Sequence, residues 1–152
     1  MIISDTSTYS FRSATFDDFD HIFDLKRLGY QDVVIDQFGA WDEEWQRSRF
    51  NASWNPAHYQ LIVFEKRDAG VIATEERAEE IFLAEIIIIP DMRGRGLGTL
   101  IMKNLIRHSS QLGKTLALQV LKKNVQAKSL YEKMGFVIIM ETSTHYQMQC
   151  LR

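Results

Sequence analysis

The chain has 152 residues, of which 45% are hydrophobic and 25% are charged, with 18 basic against 20 acidic side chains. These fractions are average for soluble globular proteins and argue against a disordered or fibrous chain, and the length suits one domain over residues 1–152. Without an overall basic charge, nucleic acid is not an expected partner. Residues 1–20 lack a signal-peptide pattern, and no apolar run reaches the ~20 residues of a membrane span. Cys150 is the single cysteine, so no internal disulfide can form. We therefore expect a cytoplasmic protein without membrane contact.

The first half of the chain predicts a strand, two helices and two further strands. Thr15-Phe16-Asp17-Asp18 resembles a capping box, and apolar residues at helical spacing follow it as far as Gly29, where the first helix is expected to end. Asp68-Ala69-Gly70 is typical of a turn between two strands. The other predicted elements are a strand at Tyr9–Ser13, a second helix at about Asp42–Asn51, and strands at Tyr59–Lys66 and Val71–Glu75.

The second half of the chain contains a strand that is apolar on both faces, Ile81–Ile89. Such a strand belongs in the middle of a sheet with helices on both sides, and Pro90 ends it because proline cannot donate to a strand ladder. The remaining predicted elements are helices at Thr99–Leu112 and Gln126–Met134 and strands at Leu116–Leu121, Phe136–Met140 and His145–Leu151. Their order predicts a mixed α/β fold.

A glycine-rich loop, Arg93-Gly94-Arg95-Gly96-Leu97-Gly98, joins the apolar strand to the next helix. Glycines there let a ligand approach the backbone, and the first N–H groups of the helix form a site for phosphate oxygens. Two arginines add charge that suits a pyrophosphate. The glycine spacing fits neither a dinucleotide-binding fingerprint nor a Walker loop. A tight turn that binds nothing is the alternative interpretation.

A second motif follows about 30 residues later, with Asn124, Ala127, Leu130, Tyr131, Gly135 and Phe136 at its fixed positions. Alone it predicts a capped helix that ends at glycine. Together with Arg93, Gly96 and Gly98 it resembles the GNAT superfamily of acetyl-CoA-dependent N-acetyltransferases. The resemblance implies a mixed, mostly antiparallel sheet of about seven strands, flanked by about four helices on both faces.

The resemblance also implies where acetyl-CoA binds. In this fold the central strand separates from the next one, so that its free backbone groups pair with the pantetheine amides, while the N–H groups of the glycine loop meet the pyrophosphate. A backbone donor near Ile88 is expected to stabilise the oxyanion of the reaction, and Asn124 to bond the pantetheine arm or simply to cap its helix. The implied coenzyme-binding residues are Ile87, Ile88, Ile89, Arg93, Gly94, Arg95, Gly96, Leu97, Gly98, Thr99, Asn124, Lys128 and Tyr131.

Two residues are the expected catalytic groups. In the family, the tyrosine at the position of Tyr131 commonly gives a proton to the departing thiolate, and an ordinary tyrosine pKa near 10 keeps that proton available. Packing in the core is the alternative role for Tyr131. Glu85, the one charge in an apolar strand, is the best candidate base for the incoming ammonium, and pairing with a neighbouring cation is its alternative. Weaker candidate bases are Asp36, Glu43, Glu44 and Tyr146.

The expected acceptor pocket lies between the first two helices and the last two strands, with Tyr30, Trp41, Trp45 and Tyr146 as its candidate residues. Asp36, Asp42, Glu43 and Glu44 would attract a cationic amine, or else form a solvated helix face. The acceptor is expected to be a small-molecule or peptide amine. The open alternatives are a protein lysine or N-terminal acetyltransferase, a non-catalytic acyl-CoA sensor, and a nucleotide-binding regulator.

Two further expectations concern metals and assembly. The four histidines, His21, His58, His108 and His145, have no ligand-like spacing, so no metal cofactor is predicted. The family commonly dimerises, so a homodimer is among the expected states.

Overall fold

The computed structural model describes residues 9–150, which form one seven-stranded sheet with helices packed on it. The strands are β1 (Tyr9–Ser13), β2 (Tyr59–Phe64), β3 (Arg67–Glu76), β4 (Glu80–Ile88), β5 (Thr115–Leu121), β6 (Phe136–Glu141) and β7 (His145–Cys150). Their order in the sheet is β1-β2-β3-β4-β5-β7-β6. The β4–β5 pair is parallel and the other described pairs are antiparallel. This is the mixed α/β sheet that the sequence predicts.

Helices cover both faces of the sheet; they are α1 (Phe19–Phe38), α2 (Glu43–Ser53), α3 (Leu97–Gln111) and α4 (Val125–Lys133). A Cβ built on Gly29 of α1 would meet the Ile87 side chain, whereas one on Gly98 of α3 would meet Ile88. Because neighbouring strand residues point to opposite faces, α1 and α3 lie on opposite sides of β4. The prediction of a central strand covered on both sides is therefore confirmed.

The prediction that α1 ends at Gly29 is wrong, because the helix continues to Phe38. Gly39 ends it instead, with a φ of 90° and an N–H that donates to the Ile35 carbonyl. Gly29 serves another purpose in mid-helix. A Cβ at Gly29 would lie 2.1 Å from Cγ2 of Ile87, so the missing side chain lets α1 sit close against β4.

The predicted turn at Asp68-Ala69-Gly70 is also wrong, since these residues lie within β3. The chain turns earlier, at Glu65 and Lys66, which have φ values of 52° and 64°. Gly70 is required inside the strand because its Cβ would lie 1.8 Å from the Ile87 carbonyl oxygen. Elsewhere the predicted bounds differ by one or two residues, and the last residue of the predicted final strand, Leu151, lies outside the described residues.

The feature that creates the site is the separation of β4 from β5. These strands pair over four positions, from Glu80 opposite Thr115 to Leu83 opposite Leu118. Beyond that point β4 stays with β3, after a register shift that leaves Ala84 without a partner residue. β5 stays with β7 as far as Leu121. An opening therefore forms between the strands in the middle of the sheet, as the resemblance implies.

Candidate active site

A cavity of about 520 Å³ lies where β4 and β5 separate. Residues 83–86 of β4 and 118–121 of β5 form its inner walls, and side chains of α1, α2 and α4 and the start of β7 complete it. Both predicted catalytic residues, Glu85 and Tyr131, line this cavity. They come from separate elements, a strand and a helix, which the fold brings to one place.

Glu85 projects into the cavity as one member of an ion pair. Its Oε1 lies 2.9 Å from Nζ of Lys26, and both side chains are about 15% exposed (15% and 16%). Nζ of Lys26 also lies 4.1 Å from the centre of the Phe50 ring. The second carboxylate oxygen, Oε2, is buried and has no hydrogen-bond partner among residues 9–150. Glu85 is thus paired with a cation, as its alternative role supposed, and still offers a free acceptor oxygen.

Tyr131 reaches the cavity from α4, and its ring packs 5.7 Å from that of Phe136. Burial raises the pKa of Tyr131 to about 12. A buried tyrosinate lacks the solvation that stabilises the charge, so the hydroxyl keeps its proton at neutral pH. The side chain can therefore donate a proton or a hydrogen bond into the cavity.

Two further tyrosines, Tyr30 and Tyr59, line the cavity together with the Glu85 carboxylate. The pKa of Tyr30 is raised well above its ordinary value, first by burial and then by the negative charge of Glu85. The pKa of Tyr59 is raised in the same way, by burial first and then by Glu85. Tyr30 therefore lies close to Glu85. No motif marks Lys26 or Tyr59, so neither residue could be predicted to line the site. The one signal in the sequence was the position of Lys26, four residues before Tyr30 on an apolar helix face.

Three of the four predicted acceptor residues, Tyr30, Trp41 and Trp45, line the cavity, but Tyr146 does not. Its strand neighbour His145 faces the cavity instead, because successive strand residues point to opposite faces. Nζ atoms of Lys122 and Lys128 lie 5.4 and 5.3 Å from the centre of the Tyr146 ring.

The predicted acidic lining is absent from the described cavity. Glu43 accepts hydrogen bonds from Arg27 and from Nε1 of Trp41, at 2.7 and 2.8 Å, and the bond from Arg27 contributes most to lowering its pKa to about 2. Asp42 caps α2 by accepting from the Trp45 N–H. Asp36 and Glu44 are exposed and also lie off the cavity. These carboxylates support and solvate the helices rather than the site.

The glycine loop has the open backbone that a phosphate group requires. Gly94 and Gly96 have φ values of 78° and 81°, and no atom lies within 4 Å of a Cβ built on either. Gly96 is the N-cap of α3, so the N–H groups of Leu97, Gly98 and Thr99 belong to the first turn, where a helix leaves its donors unpaired.

The two arginines of the loop are engaged by the protein itself. Arg93 donates from Nε to the Ile88 carbonyl, at 2.8 Å, and from Nη2 to the Gly29 carbonyl, at 3.1 Å. It thereby fastens the loop to the end of β4 and to α1. Arg95 forms an ion pair with Glu65 in the β2–β3 turn.

The end of β4 has one edge free. The Ile89 N–H donates to the Ala69 carbonyl of β3 at 2.9 Å. Because successive residues of a strand direct their N–H groups to opposite edges, the Ile87 N–H also faces β3, and the Ile88 N–H faces the opening left by β5. Of the three predicted backbone contacts, Ile88 is thus the one whose donor faces the site.

The α4 motif contributes unequally to the cavity. Asn124 lines it, and its Oδ1 also accepts from the Ala127 N–H at 3.3 Å, so it is a helix cap beside the site. Lys128 does not line the cavity; it pairs with Glu132 at 3.3 Å. Among residues 9–150, no three His, Cys, Asp or Glu side chains are grouped to hold a metal ion, and no helix there is long and apolar enough to cross a membrane.

Comparison with known proteins identifies relatives of the chain. An uncharacterized N-acetyltransferase of Methanocaldococcus jannaschii is 27% identical over 139 residues, which cover 85% of this chain and 61% of that protein. The [ribosomal protein bS18]-alanine N-acetyltransferase of Salmonella typhimurium is 31% identical over 94 residues, 60% of this chain and 64% of the relative. The chain thus spans less than two thirds of the length of these curated relatives.

Solved structures and a family model agree with these relatives. The crystal structure of PaiA N-acetyltransferase from Thermoplasma acidophilum in complex with coenzyme A superimposes with a TM-score of 0.76 at 14% identity, covering 95% of this chain and 99% of the other. This likeness shows the shared fold. Residues 20–136 match the model of the Acetyltransferase (GNAT) family. Because that match covers most of the sequence, the chain belongs to the GNAT family of acetyltransferases.

Proposed function

We propose that residues 1–152 form a single N-acetyltransferase domain, which moves the acetyl group of acetyl-CoA to the primary amine of a small molecule or peptide. The observation that carries this proposal is the convergence of Glu85 and Tyr131 on one cavity at the separation of β4 and β5. Membership of the GNAT family and the N-acetyltransferase names of the curated relatives support it.

The residues present fit acetyl-CoA, which supplies the acyl group as an activated thioester. The open backbone at Gly94 and Gly96 and the first N–H groups of α3 would hold the pyrophosphate. The Ile88 N–H would pair with the extended pantetheine arm or with the thioester oxygen. Arg93 would hold the loop in position through its bonds to the Ile88 and Gly29 carbonyls.

The chemistry requires one group that takes a proton and one that gives a proton. Glu85 Oε2, which lacks another partner among the described residues, accepts a proton from the incoming ammonium. The amine nitrogen then forms its bond to the acyl carbon by direct attack in a ternary complex. As the carbon–sulfur bond breaks, the Tyr131 hydroxyl donates its proton to the departing sulfur, and the second proton lost by the attacking nitrogen restores the hydroxyl.

Two other functions are alternatives, and a specific observation favours the first of them. Protein N-terminal acetylation is favoured by the relative of Salmonella typhimurium, which is named for acting on an alanine of ribosomal protein bS18. A non-catalytic acyl-CoA sensor would need only the glycine loop. The buried carboxylate oxygen of Glu85 beside the cavity argues for catalysis, because a sensor gains nothing from an unpartnered acceptor there.

The test is a thermal shift series with acetyl-CoA, CoA, ATP and NAD, followed by an assay of thiol release with a library of amines. At 100 times its Kd, a ligand stabilises the fold by about 2.7 kcal/mol, which raises Tm by several degrees at this chain length. We expect a rise with acetyl-CoA and CoA but not with ATP or NAD, and thiol release with an amine. Stabilisation without thiol release from any amine would indicate the sensor, and no response to either CoA species would contradict the proposal.

A further inference from the structure

Basic side chains outnumber acidic ones in the lining of the cavity. Its described lining contains two basic side chains, Lys26 and Arg49, and one acidic side chain, Glu85. Lys26 is neutralised by its ion pair with Glu85. Arg49, an exposed arginine at the rim of the cavity, therefore remains as its uncompensated positive charge.

Arg49 is held at the cavity without a carboxylate partner. It lies on α2, where its guanidinium is 5.2 Å from the centre of the Trp45 ring. No acidic side chain within residues 9–150 forms an ion pair with it. By contrast, Arg47 on the same helix pairs with Asp20 at 2.7 Å. The arginine that faces the cavity is thus the one left free to bind a ligand.

Two polar residues at the start of β7 line the same cavity as Arg49. His145 and Thr144 line the cavity, and Nδ1 of His145 is 2.7 Å from Oγ1 of Thr144. Burial, and then the charge of Arg49, lowers the pKa of His145, so the ring is neutral at pH 7 and adds hydrogen-bonding capacity rather than a second charge. Arg49, Thr144 and His145 together form an anion-binding corner, the name used below for these three residues.

The anion-binding corner is separate from the site expected for the phosphates of the coenzyme. None of residues 93–99, the glycine loop and first turn of α3, lines the cavity. The corner is formed instead by α2 and the start of β7, the elements where the acceptor is expected. Its positive charge is therefore available to the acceptor.

We propose, on the basis of the acetyltransferase function above, that the acceptor is an amine that also carries an anionic group, a carboxylate or a phosphate, and that Arg49 binds this group while the amine faces Glu85. The planar guanidinium can donate two parallel hydrogen bonds to either anion. A polyamine or a lysine side chain flanked by cations would instead place positive charge against Arg49. The cavity thus selects against such acceptors.

The test compares matched acceptors that differ only in charge. One arm uses ω-amino acids of increasing length, each with its amide. A second arm uses peptides that begin with Ala-Glu or Ala-Gln, and a third uses phosphoethanolamine and ethanolamine. We expect kcat/KM for the best anionic acceptor to exceed that of the matched neutral compound by about tenfold or more, which is the usual contribution of a charge-assisted hydrogen bond. The favoured arm identifies the source of the anion.

Substitution of Arg49 attributes the preference to this residue. Arg49→Gln should raise KM for the anionic acceptor by about tenfold with little change in kcat. The kcat/KM of the neutral acceptor should stay within about twofold, and the rise in Tm caused by acetyl-CoA should be unchanged. Arg49→Lys should restore part of the preference. Arg107→Gln is the matched control, because Arg107 is an exposed arginine of α3 that contacts Asn104 and lies off the cavity.

The outcomes separate this inference from the function on which it rests. Equal kcat/KM for anionic and neutral acceptors, faster turnover of spermidine, or an equal loss with both acceptors in Arg49→Gln would overturn the inference and leave the acetyltransferase activity intact. If no amine in any arm releases thiol although acetyl-CoA raises Tm, the acetyltransferase function is contradicted and the inference fails with it.

Discussion

Glu85 and Tyr131 present a hydrogen-bond acceptor and a hydrogen-bond donor to the cavity, and each has a separate structural cause. The Glu85 carboxylate faces the Lys26 ammonium at 2.9 Å, with Oε2 still available as an acceptor. The Tyr131 hydroxyl holds its proton because burial raises its pKa to about 12. Acetyl transfer to an ammonium uses both groups, since two protons leave the nitrogen as the amide forms and one proton must reach the sulfur.

Replacing Tyr131 with phenylalanine should separate catalysis from binding. We expect Tyr131→Phe to lower kcat by about 10²-fold, because the departing sulfur loses its proton donor, and to leave KM for acetyl-CoA within about twofold. The ring still packs against Phe136, so the free energy of unfolding should change by only about 1 kcal/mol. Thiol release and urea unfolding provide both measurements. An unchanged kcat would assign Tyr131 to packing alone.

Replacing Glu85 with glutamine should make the rate depend on the fraction of the acceptor amine that is already deprotonated in solution. We expect Glu85→Gln to lower kcat/KM about 10²-fold at pH 7, with a deficit that shrinks as the pH approaches the pKa of the acceptor amine. The change also leaves Lys26 without its ionic partner, which should destabilise the fold by about 1–3 kcal/mol. Rate profiles from pH 6 to 10 would check this.

Glu43→Gln is the control for that experiment, because Glu43 is exposed and lies off the cavity. It should keep kcat/KM within about twofold of the wild type at every pH, as exposed ion pairs contribute little. A deficit in Glu85→Gln that stays constant with pH would contradict a role for Glu85 in taking the proton.

Site residues that belong to a sequence motif could be predicted, whereas those outside a motif could not. Asn124 and Tyr131 belong to one short helical motif and both line the cavity. Arg49 and Tyr59 come from separate elements that only the folded sheet brings together. His145 lines the cavity and Tyr146 does not, because a shift of one residue along a strand changes the face to which a side chain points.

At the scale of elements, α1 shows how one glycine can suggest the wrong helix end. Gly29 follows an apolar helical stretch, where glycine usually marks a C-terminus. In the structure it instead lets α1 approach Ile87 of β4, and its carbonyl accepts a hydrogen bond from Arg93. Local periodicity contains no information on a strand so distant in sequence, so this function of Gly29 could not be predicted.

A side chain at Gly29 should therefore disturb both the fold and the site. Gly29→Ala would place a Cβ 2.1 Å from Ile87 Cγ2. We expect it to lower the free energy of unfolding by about 1–3 kcal/mol, although alanine favours helices by about 1 kcal/mol over glycine. KM for acetyl-CoA should rise as well, since β4 carries Ile88. Urea unfolding and thiol release measure the two effects.

A double-mutant cycle shows whether the close approach to Ile87 is the cause. Ile87→Ala alone should cost about 2–5 kcal/mol, and the double variant should be more stable than the summed single effects by about 1 kcal/mol. Gly39→Ala is the control, because Gly39 has a φ of 90° and no atom within 4 Å of its Cβ position. It should show no coupling to Ile87→Ala. Strict additivity for Gly29→Ala would refute the contact.

At the scale of the whole molecule, the sheet consists of two groups of strands that share a short seam. β1 to β4 form one group and β5, β7 and β6 the other, and four residue pairs join β4 to β5. The order of elements was predictable because each long element carries its own hydrophobic pattern. The charge balance of the cavity was not, because its lining comes from both groups and from three helices. Three tyrosines line the opening between the groups, and their ionisation at high pH should lower the stability of the fold.

Three tyrosines, the half-buried Tyr30 and the buried Tyr59 and Tyr131, should make the protein sensitive to alkali. Each has a folded-state pKa above the value near 10 of an unfolded chain, and that of Tyr131 is about 12. Their stabilising contribution is complete below about pH 10 and is lost as the pH rises towards the folded-state values, because the unfolded chain then binds fewer protons. Each tyrosine should lower the free energy of unfolding by up to about 1.4 kcal/mol per pH unit in this range.

Urea unfolding between pH 9 and pH 11.5, compared between the wild type and Tyr131→Phe, isolates the contribution of one tyrosine. Lysines also titrate in this range, but they are common to both proteins and cancel in the difference. The wild type should lose stability more steeply than the variant above about pH 10, by up to about 1.4 kcal/mol per pH unit. Parallel profiles would mean that Tyr131 ionises as readily in the folded protein as in the unfolded chain. The cavity would then be open to solvent at Tyr131, and the protonated hydroxyl that acetyl transfer requires would need another explanation.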